Sequence, residues 1–428
     1  MTWGGDGWQD IPNAQTWDGW ATGREWETVG TSLDLWTGGP TFHVYYDEYP
    51  WTTPAWTELT GIKLQGFNTS RSVQSWWQGA NAGFATMRFV DDDTVSTRTA
   101  GLQNLGCKMR ISVDTPAGEA DLFTGFLFEK QWENSPQSAT LVLSLFDDIG
   151  FSGMNAVTEV TSASNANAAD LLRTLISTYS NGYANTGDIA GITAGQGLSN
   201  FGTYPASNLL DLLTEITKGE LGLLWVDGSG VWQFRERNWW YPQPDPAATI
   251  GSLERNNVTV VGRSDPNETE ILSFPWTYTN WGVDLRPNTY VWTGGFTGGS
   301  ASAANSNNVT KTGTRKRTDA VHLANLLDAS FGVAFVATTD AQLLSTPFTV
   351  DVEIAVDGNN DAMRYCGAAD IGDFTEVALE TLPYYRRSWY TGYVIGVRHS
   401  FSPETGWFTG LTVETGLAYN DNPVAEPE

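Results

Sequence analysis

Residues 122–132, LFTGFLFEKQW, and residues 140–147, TLVLSLFD, decide the fold class of this chain. Each is a short run of continuous or alternating apolar residues bounded by turn-forming residues, the texture of a strand. Working outward, the same texture recurs in FHVYYD (42–47), IKLQGF (62–67), FATMRFV (84–90) and CKMRISV (107–113). Turn-rich pieces separate these runs at the spacing of a sandwich or barrel, which predicts one antiparallel β-barrel domain over residues 42–155.

Beyond this block the period changes. Residues 165–182, NANAADLLRTLISTYSNG, set Ala168, Leu171, Leu172, Leu175, Ile176 and Tyr179 on one helical face, with Gly182 as a stop. A second helix is predicted from Ser207, read as its N-cap, through Leu209, Leu210, Leu212, Leu213 and Ile216 to Gly219. LGLLWV and VWQFRER then flank Asp227-Gly228-Ser229-Gly230, a hairpin signature. Residues 156–240 therefore read as an α+β insert of two helices and a hairpin, closed by the proline-containing stretch that begins at Trp239.

Residues 241–419 return to strands, in ILSFPWTYTNW, FTVDVEIAVDG, FTEVALE, WYTGYVIGVRHSFS and GWFTGLTVETGLAY. A second antiparallel β-barrel is expected here, with a mobile polar loop from Thr293 to Thr314 and a third helix from near Thr318 through Ala320, Leu323, Leu326 and Leu327. Tyr393, Ile395 and Val397 alternate with Val394, Gly396 and Arg398, as in a half-buried strand, and Ser402-Pro403-Glu404-Thr405-Gly406 turns that strand back. Residues 1–41 alternate Trp with Gly, Asp and Thr without a sustained period and read as an extended arm that packs on its own body or on another subunit. Residues 420–428 form an acidic tail.

Composition agrees with a mainly β chain: of 428 residues 13% are aromatic, 20 are Trp and 45 are Gly. Carboxylates outnumber Lys and Arg by 49 to 23, a net charge of -26 that opposes unaided binding to nucleic acid. Solubility is the simpler meaning of that charge; a negative lumen through which DNA passes without specific binding is the other. The N-terminus has no basic flank or continuous apolar core, and no stretch approaches a membrane span, so synthesis in a cytoplasm without a secretion signal and no membrane insertion are expected.

The ordered set LFTGFLFEKQWE, TLVLSLFDDIG, ADLLRTLIS and NLLDLLTEITKGELGLLWVDGSGVWQFRER resembles the minor tail proteins of siphophages infecting actinobacteria. Gly396-Val397-Arg398-His399-Ser400-Phe401 with Gly406-Trp407 is similar to that family's terminal strands, and Asp370-Ile371-Gly372-Asp373 to the acidic-glycine turn before them. The resemblance implies a baseplate hub at the virion tail tip: a homotrimer whose two β-barrels per chain form a pseudo-sixfold ring. It also implies contacts with the distal tail protein, the tape measure protein and other minor tail proteins, and a role in host attachment and genome delivery.

Enzymatic chemistry finds no motif. His43, His322 and His399 are the whole histidine supply, none in a metal-ligand spacing, and neither a GxSxG elbow nor a GxxxxGK[ST] loop occurs. Cys107 and Cys366 lie far apart and read as isolated buried thiols. Asp91-Asp92-Asp93, and Asn359-Asn360-Asp361 after Asp357-Gly358, are read as strand-connecting turns rather than Ca²⁺ loops, and the basic group Lys311, Arg315, Lys316 and Arg317 as a solvated loop. No catalytic, cofactor-binding or metal residue is assigned, no cofactor is expected and the chain is read as a non-enzyme. Two alternatives remain: a carbohydrate-binding tail adhesin using Trp76-Trp77, Trp239-Trp240 and the arm tryptophans, and a glycan hydrolase built on a carboxylate pair.

Overall fold

The computed structural model describes residues 40–415, apart from residues 51–54, 62, 74–80, 91–104, 135–138, 158–162, 181–188, 193–196, 202–206, 221, 236–247, 254–256, 262–270, 274–275, 280–288, 295–299, 305–315, 322–347, 357–359 and 382–385. Trp76-Trp77, Asp91-Asp92-Asp93, Trp239-Trp240, His322, the acidic tail and all but the last two residues of the arm lie outside the described residues.

The first β region contains β1 (Phe42–Asp47), β2 (Thr57–Glu58), β3 (Leu64–Ser72), β4 (Phe84–Val90), β5 (Lys108–Thr115), β6 (Gly118–Asn134) and β7 (Ala139–Phe146). All its pairings are antiparallel, in the order β3-β4-β7-β6-β5-β1-β2. Apolar alternation sets the register: Ala85, Met87 and Phe89 of β4 point into the core while Phe84 and Arg88 face outward.

A short helix that the sequence reading did not include, α1 (Asp148–Ser152), follows β7, with Asp147 as its N-cap accepting from the Gly150 amide. The insert then supplies β8 (Ala156–Val157), β9 (Ala163–Asn167), α2 (Ala168–Tyr179), β10 (Gly191–Ile192), β11 (Gly197–Phe201), β12 (Ser207–Asn208), α3 (Leu209–Glu220), β13 (Leu223–Val226) and β14 (Trp232–Arg235). Both expected helices and the hairpin are present, and Leu172, Leu175, Ile176, Leu212, Leu213 and Ile216 are buried. The cap of α3 falls one residue after the predicted Ser207. Asn208 Oδ1 accepts from the Asp211 amide at 2.8 Å, and Ser207 Oγ donates instead to the Asp211 carboxylate at 2.9 Å.

The second β region holds β15 (Ala248–Leu253), β16 (Asn257–Val261), β17 (Ile271–Ser273), β18 (Trp276–Thr279), β19 (Thr289–Gly294), β20 (Ser300–Ala304), β21 (Lys316–Val321) and β22 (Phe348–Ala355). After helix α4 (Asn360–Ala368) come β23 (Phe374–Thr381), β24 (Arg386–Ser402) and β25 (Gly406–Thr415). Three expectations are corrected here. Thr318 and Ala320 lie in a strand, β21, paired in parallel with β19, rather than in a helix; the remaining predicted helix residues, Leu323 to Leu327, lie outside the described residues. Part of the expected loop at 293–314 is strand β20, paired with β19. Asn360 and Asp361 begin α4 instead of closing a turn, and Ala362, Cys366 and Ala369 of that segment are buried. In the first two cases partner strands satisfy backbone groups that no local period advertises.

Strand pairing runs straight through both β regions. The 17-residue β24 pairs with β23 at one end and β25 along much of its length, while Gly396–Phe401 also pairs with Phe67–Ser72 of β3. Among the described residues this makes one branched, mainly antiparallel sheet of 15 strands, and the pairing closes no barrel. Tyr393, Val394, Ile395 and Val397 are all buried, so β24 is covered on both faces rather than half-buried as its alternation suggested. Phe42 seals the crossing: its ring lies 5.0 Å from Phe67, 4.5 Å from Phe401 and 5.7 Å from Trp407.

Candidate functional site

Period two along β3 turns Phe67, Thr69, Arg71 and Val73 inward, which places a guanidinium where its neighbours bring apolar or hydroxyl groups. Arg71 is 4% exposed. A buried cation needs partners, and Arg71 finds them in two distant segments. Its Nη1 donates to the Asp370 carboxylate at 2.5 Å and to the Val226 carbonyl of the insert hairpin at 3.3 Å. Asp370 also accepts from Trp225 Nε1 at 2.9 Å. Three regions that are remote in sequence therefore meet on one ion pair.

The turn that carries Asp370 is held rigidly. The Asp370 amide donates to Asp373 Oδ2 at 2.9 Å, Gly372 adopts φ 93° and donates to the Val394 carbonyl, and Val394 donates back to the Asp373 carbonyl. On the other side of Arg71 sits Asp147, whose second carboxylate oxygen accepts from the Gly83 amide at 2.7 Å. Gly83 has to be Gly: a Cβ there would come within 2.5 Å of Asp147 Oδ2 and 3.1 Å of Arg71 Cγ. Behind Asp147, Lys108 Nζ lies 3.3 Å from Asp148 Oδ2, both side chains being buried.

Burial governs the titration of this junction. It raises the Asp147 carboxyl to about 7, helped by neighbouring Asp148 and opposed by the two backbone donors and Arg71. It raises Asp373 to about 6 and pushes Asp370 up as well, there against the pull of Arg71 and Trp225. His399, buried on β24 with its Nδ1 3.0 Å from Thr409 Oγ1, is driven down to about 3 by burial and by the Arg71 charge. The result is a compact clamp in which burial raises the Asp147, Asp370 and Asp373 carboxyls and lowers His399.

The histidine at the other end of the chain has a different setting. His43 Nδ1 lies 2.8 Å from Glu58 on β2 and its Nε2 lies 3.2 Å from Asp114 on β5. Burial lowers its pKa, but the two carboxylates outweigh burial and the net shift is upward. Cys107 and Cys366 are both free and buried, and burial raises each thiol to about 12. Lys316 and Arg317 lie on β21. Among the described residues no three His, Cys, Asp or Glu side chains are placed to hold a metal ion, and no helix is long and apolar enough to cross a membrane.

Of this junction the sequence reading singled out Asp370, Asp373 and His399. It passed over Arg71, Asp147 and Trp225. The available signal for Arg71 was its register with Phe67 and Val73; for Asp147 it was a carboxylate ending an apolar strand just before a helix.

No family model matches the chain and no curated protein matches it in sequence. Solved structures do match. A tail protein from Neisseria meningitidis MC58 superposes with a TM-score of 0.58 at 14% identity, covering 88% of this chain and 96% of that one. The 43 kDa tail protein of prophage MuSo2 from Shewanella oneidensis gives 0.55 at 9% identity, covering 88% of this chain and 98% of that one. Over nearly its whole length, then, this chain shares the fold of solved tail proteins, one of them from a prophage.

Proposed function

We propose that this chain is a structural, non-catalytic component of a phage tail, and that it acts as a homotrimeric hub at the tail tip. The observation that carries the proposal is the fold, shared along almost the full length of two solved tail proteins. The continuity of the sheet supports a mechanical role. A chain whose two β regions are joined by β3–β24 pairing and by the Arg71–Asp370 clamp transmits load instead of hinging between them. In a trimer, two β regions per chain supply the six positions that a sixfold tail tube requires, and the distal tail protein, tape measure protein and other minor tail proteins are the neighbours this placement implies. The net charge of -26 suits a lumen that DNA traverses without adhering.

The test is the symmetry of this protein in tail particles by electron microscopy, together with native mass spectrometry of the purified chain. Threefold density at the distal end and a trimeric mass are expected. Sixfold density along the tube, or a stable monomer that binds cell-wall glycan, would overturn the hub assignment.

A further inference from the structure

Where the two β regions join, the sheet has an outward face that the core does not use. The register lines up Ala355, Phe408, Ser400, Asn68, Thr86 and Ser144 in one row across β22, β25, β24, β3, β4 and β7. Their chain neighbours Ile354, Trp407, His399, Phe67, Ala85 and Leu145 point the other way and are buried. Asn68 in the middle of the row is exposed, as is Arg398 in the next row, and Ser70, Ser72, Ser400, Phe408 and Thr412 around them are half-buried. The side chains here are short, and the long one at the centre lies down: a Cβ at Gly410 would come within 3.1 Å of Arg398 Nε and 3.3 Å of its Nη2. That guanidinium reaches across Gly410 toward β22, where Asp351 Oδ1 lies 4.0 Å from Nη2 and accepts from Thr412 Oγ1 at 2.5 Å. Another backbone can therefore approach this face closely.

Its charge is as distinctive as its relief. The outward residues of β4, of β3 from Asn68 to Ser72, and of the facing parts of β24 (396–402) and β25 (406–412) include no carboxylate. Their two charges, Arg88 and Arg398, are each matched by a carboxylate to the side, Glu133 of β6 at 3.3 Å and Asp351 of β22. By contrast, the outward side of β1, β2, β5 and the start of β6 gathers Glu58, Asp114, Glu119 and Asp121 around His43 and Arg110. Depletion of Asp, Glu and Lys with arginine and aromatic rings retained, here Phe84 and Phe408, is the composition of an interface centre. For a chain of net charge -26, two copies repel least where carboxylates are fewest. The size fits as well. Six strands spaced about 4.8 Å apart and the roughly 30 Å length of β3 give about 700 Å², close to the about 800 Å² per partner of a standard interface. We propose that a neighbouring copy of this chain seats on the Asn68–Arg398 face, an inference that rests on the homotrimer of the proposed function. In a ring of three the contact is heterologous, so the face meets a different surface of the next copy.

The test compares the full-length wild type by native mass spectrometry with Asn68→Glu and with Thr178→Glu, which adds the same charge at an exposed position of α2. Wild type and Thr178→Glu are expected to be trimers. Asn68→Glu should need about tenfold or more higher concentration to assemble, because its charge is buried without a partner at the contact, while its circular dichroism stays that of wild type. Maleimide labelling reads the same face in an intact assembly, since Cys107 and Cys366 are buried. Asn68→Cys should lose labelling in the trimer and Thr178→Cys should keep it; this comparison decides the matter if Asn68→Glu does not fold. A wild-type trimer in which Asn68→Glu assembles normally, or in which Asn68→Cys labels as readily as Thr178→Cys, overturns the inference and leaves the trimer standing. A wild-type monomer overturns both.

Discussion

Replacing Arg71 with methionine removes the cation of the central clamp while keeping a long apolar stem. Taking one partner from a buried ion pair leaves the other uncompensated, a loss of about 3–5 kcal/mol. Here Asp370 retains 24% side-chain exposure and its bond from Trp225, so the lower end applies, about 3 kcal/mol. Asp370→Asn leaves the more deeply buried Arg71 unpaired and should lose at least as much, about 3–5 kcal/mol. The double variant removes both charges, so its loss should fall short of the sum of the singles by about 2–3 kcal/mol, the signature of direct coupling.

Urea unfolding followed by circular dichroism gives these differences, and hydrogen exchange at the β13–β14 hairpin shows whether the insert detaches first. The pH dependence supplies a second check. Without Arg71 the Asp370 carboxyl, already raised by burial, rises further. A raised carboxyl contributes stability below its unfolded value and loses it as pH climbs through the folded value, so Arg71→Met should be hurt more at pH 8 than at pH 5. Additivity of the two single variants within about 0.5 kcal/mol, with no added pH dependence, would refute the account of Arg71 as the joint between the three regions.

Asp147 offers an independent reading of the same electrostatics: with its carboxyl raised from 3.8 to about 7 on folding, its contribution to stability is full below about pH 4 and lost as pH rises to about 7, and Asp147→Asn should flatten that decline in thermal melts. His43 acts with the same sign from the opposite chemistry. Its raised pKa contributes stability below about 6.5 that is lost as pH rises through the folded value, so His43→Gln should be less stable than wild type at pH 5.5 and closer to it at pH 8.5. Gly228 sits in the hairpin turn against β6, where its carbonyl accepts from Thr124 Oγ1 at 2.9 Å and a Cβ would come within 2.1 Å of the Asp121 carbonyl. Gly228→Ala should therefore destabilise the docked hairpin by about 1–3 kcal/mol, measurable as faster proteolysis between residues 221 and 236, and an unchanged digestion pattern would count against hairpin docking.

Sequence alone determined the local elements whose signals are local. Strands β3 to β7 announce themselves through aromatic and aliphatic alternation, α2 and α3 through helical spacing of leucines, and the β13–β14 hairpin through Asp227-Gly228-Ser229-Gly230, because each depends on neighbours in the chain. Tertiary structure decided what those elements do together. The pairing of β24 with β3, separated by more than three hundred residues of sequence, fuses two β regions that read as separate barrels, and no local period encodes a partner so remote. The α4 segment, NDAMRYCGA, has too few apolar residues to advertise itself as a helix and is helical while burying Ala362 and Cys366. Arg71 is the sharpest case: in sequence it is one basic residue in a serine-rich stretch, and only the meeting of β3, the insert hairpin and the Asp370 turn makes it the buried charge on which three regions converge.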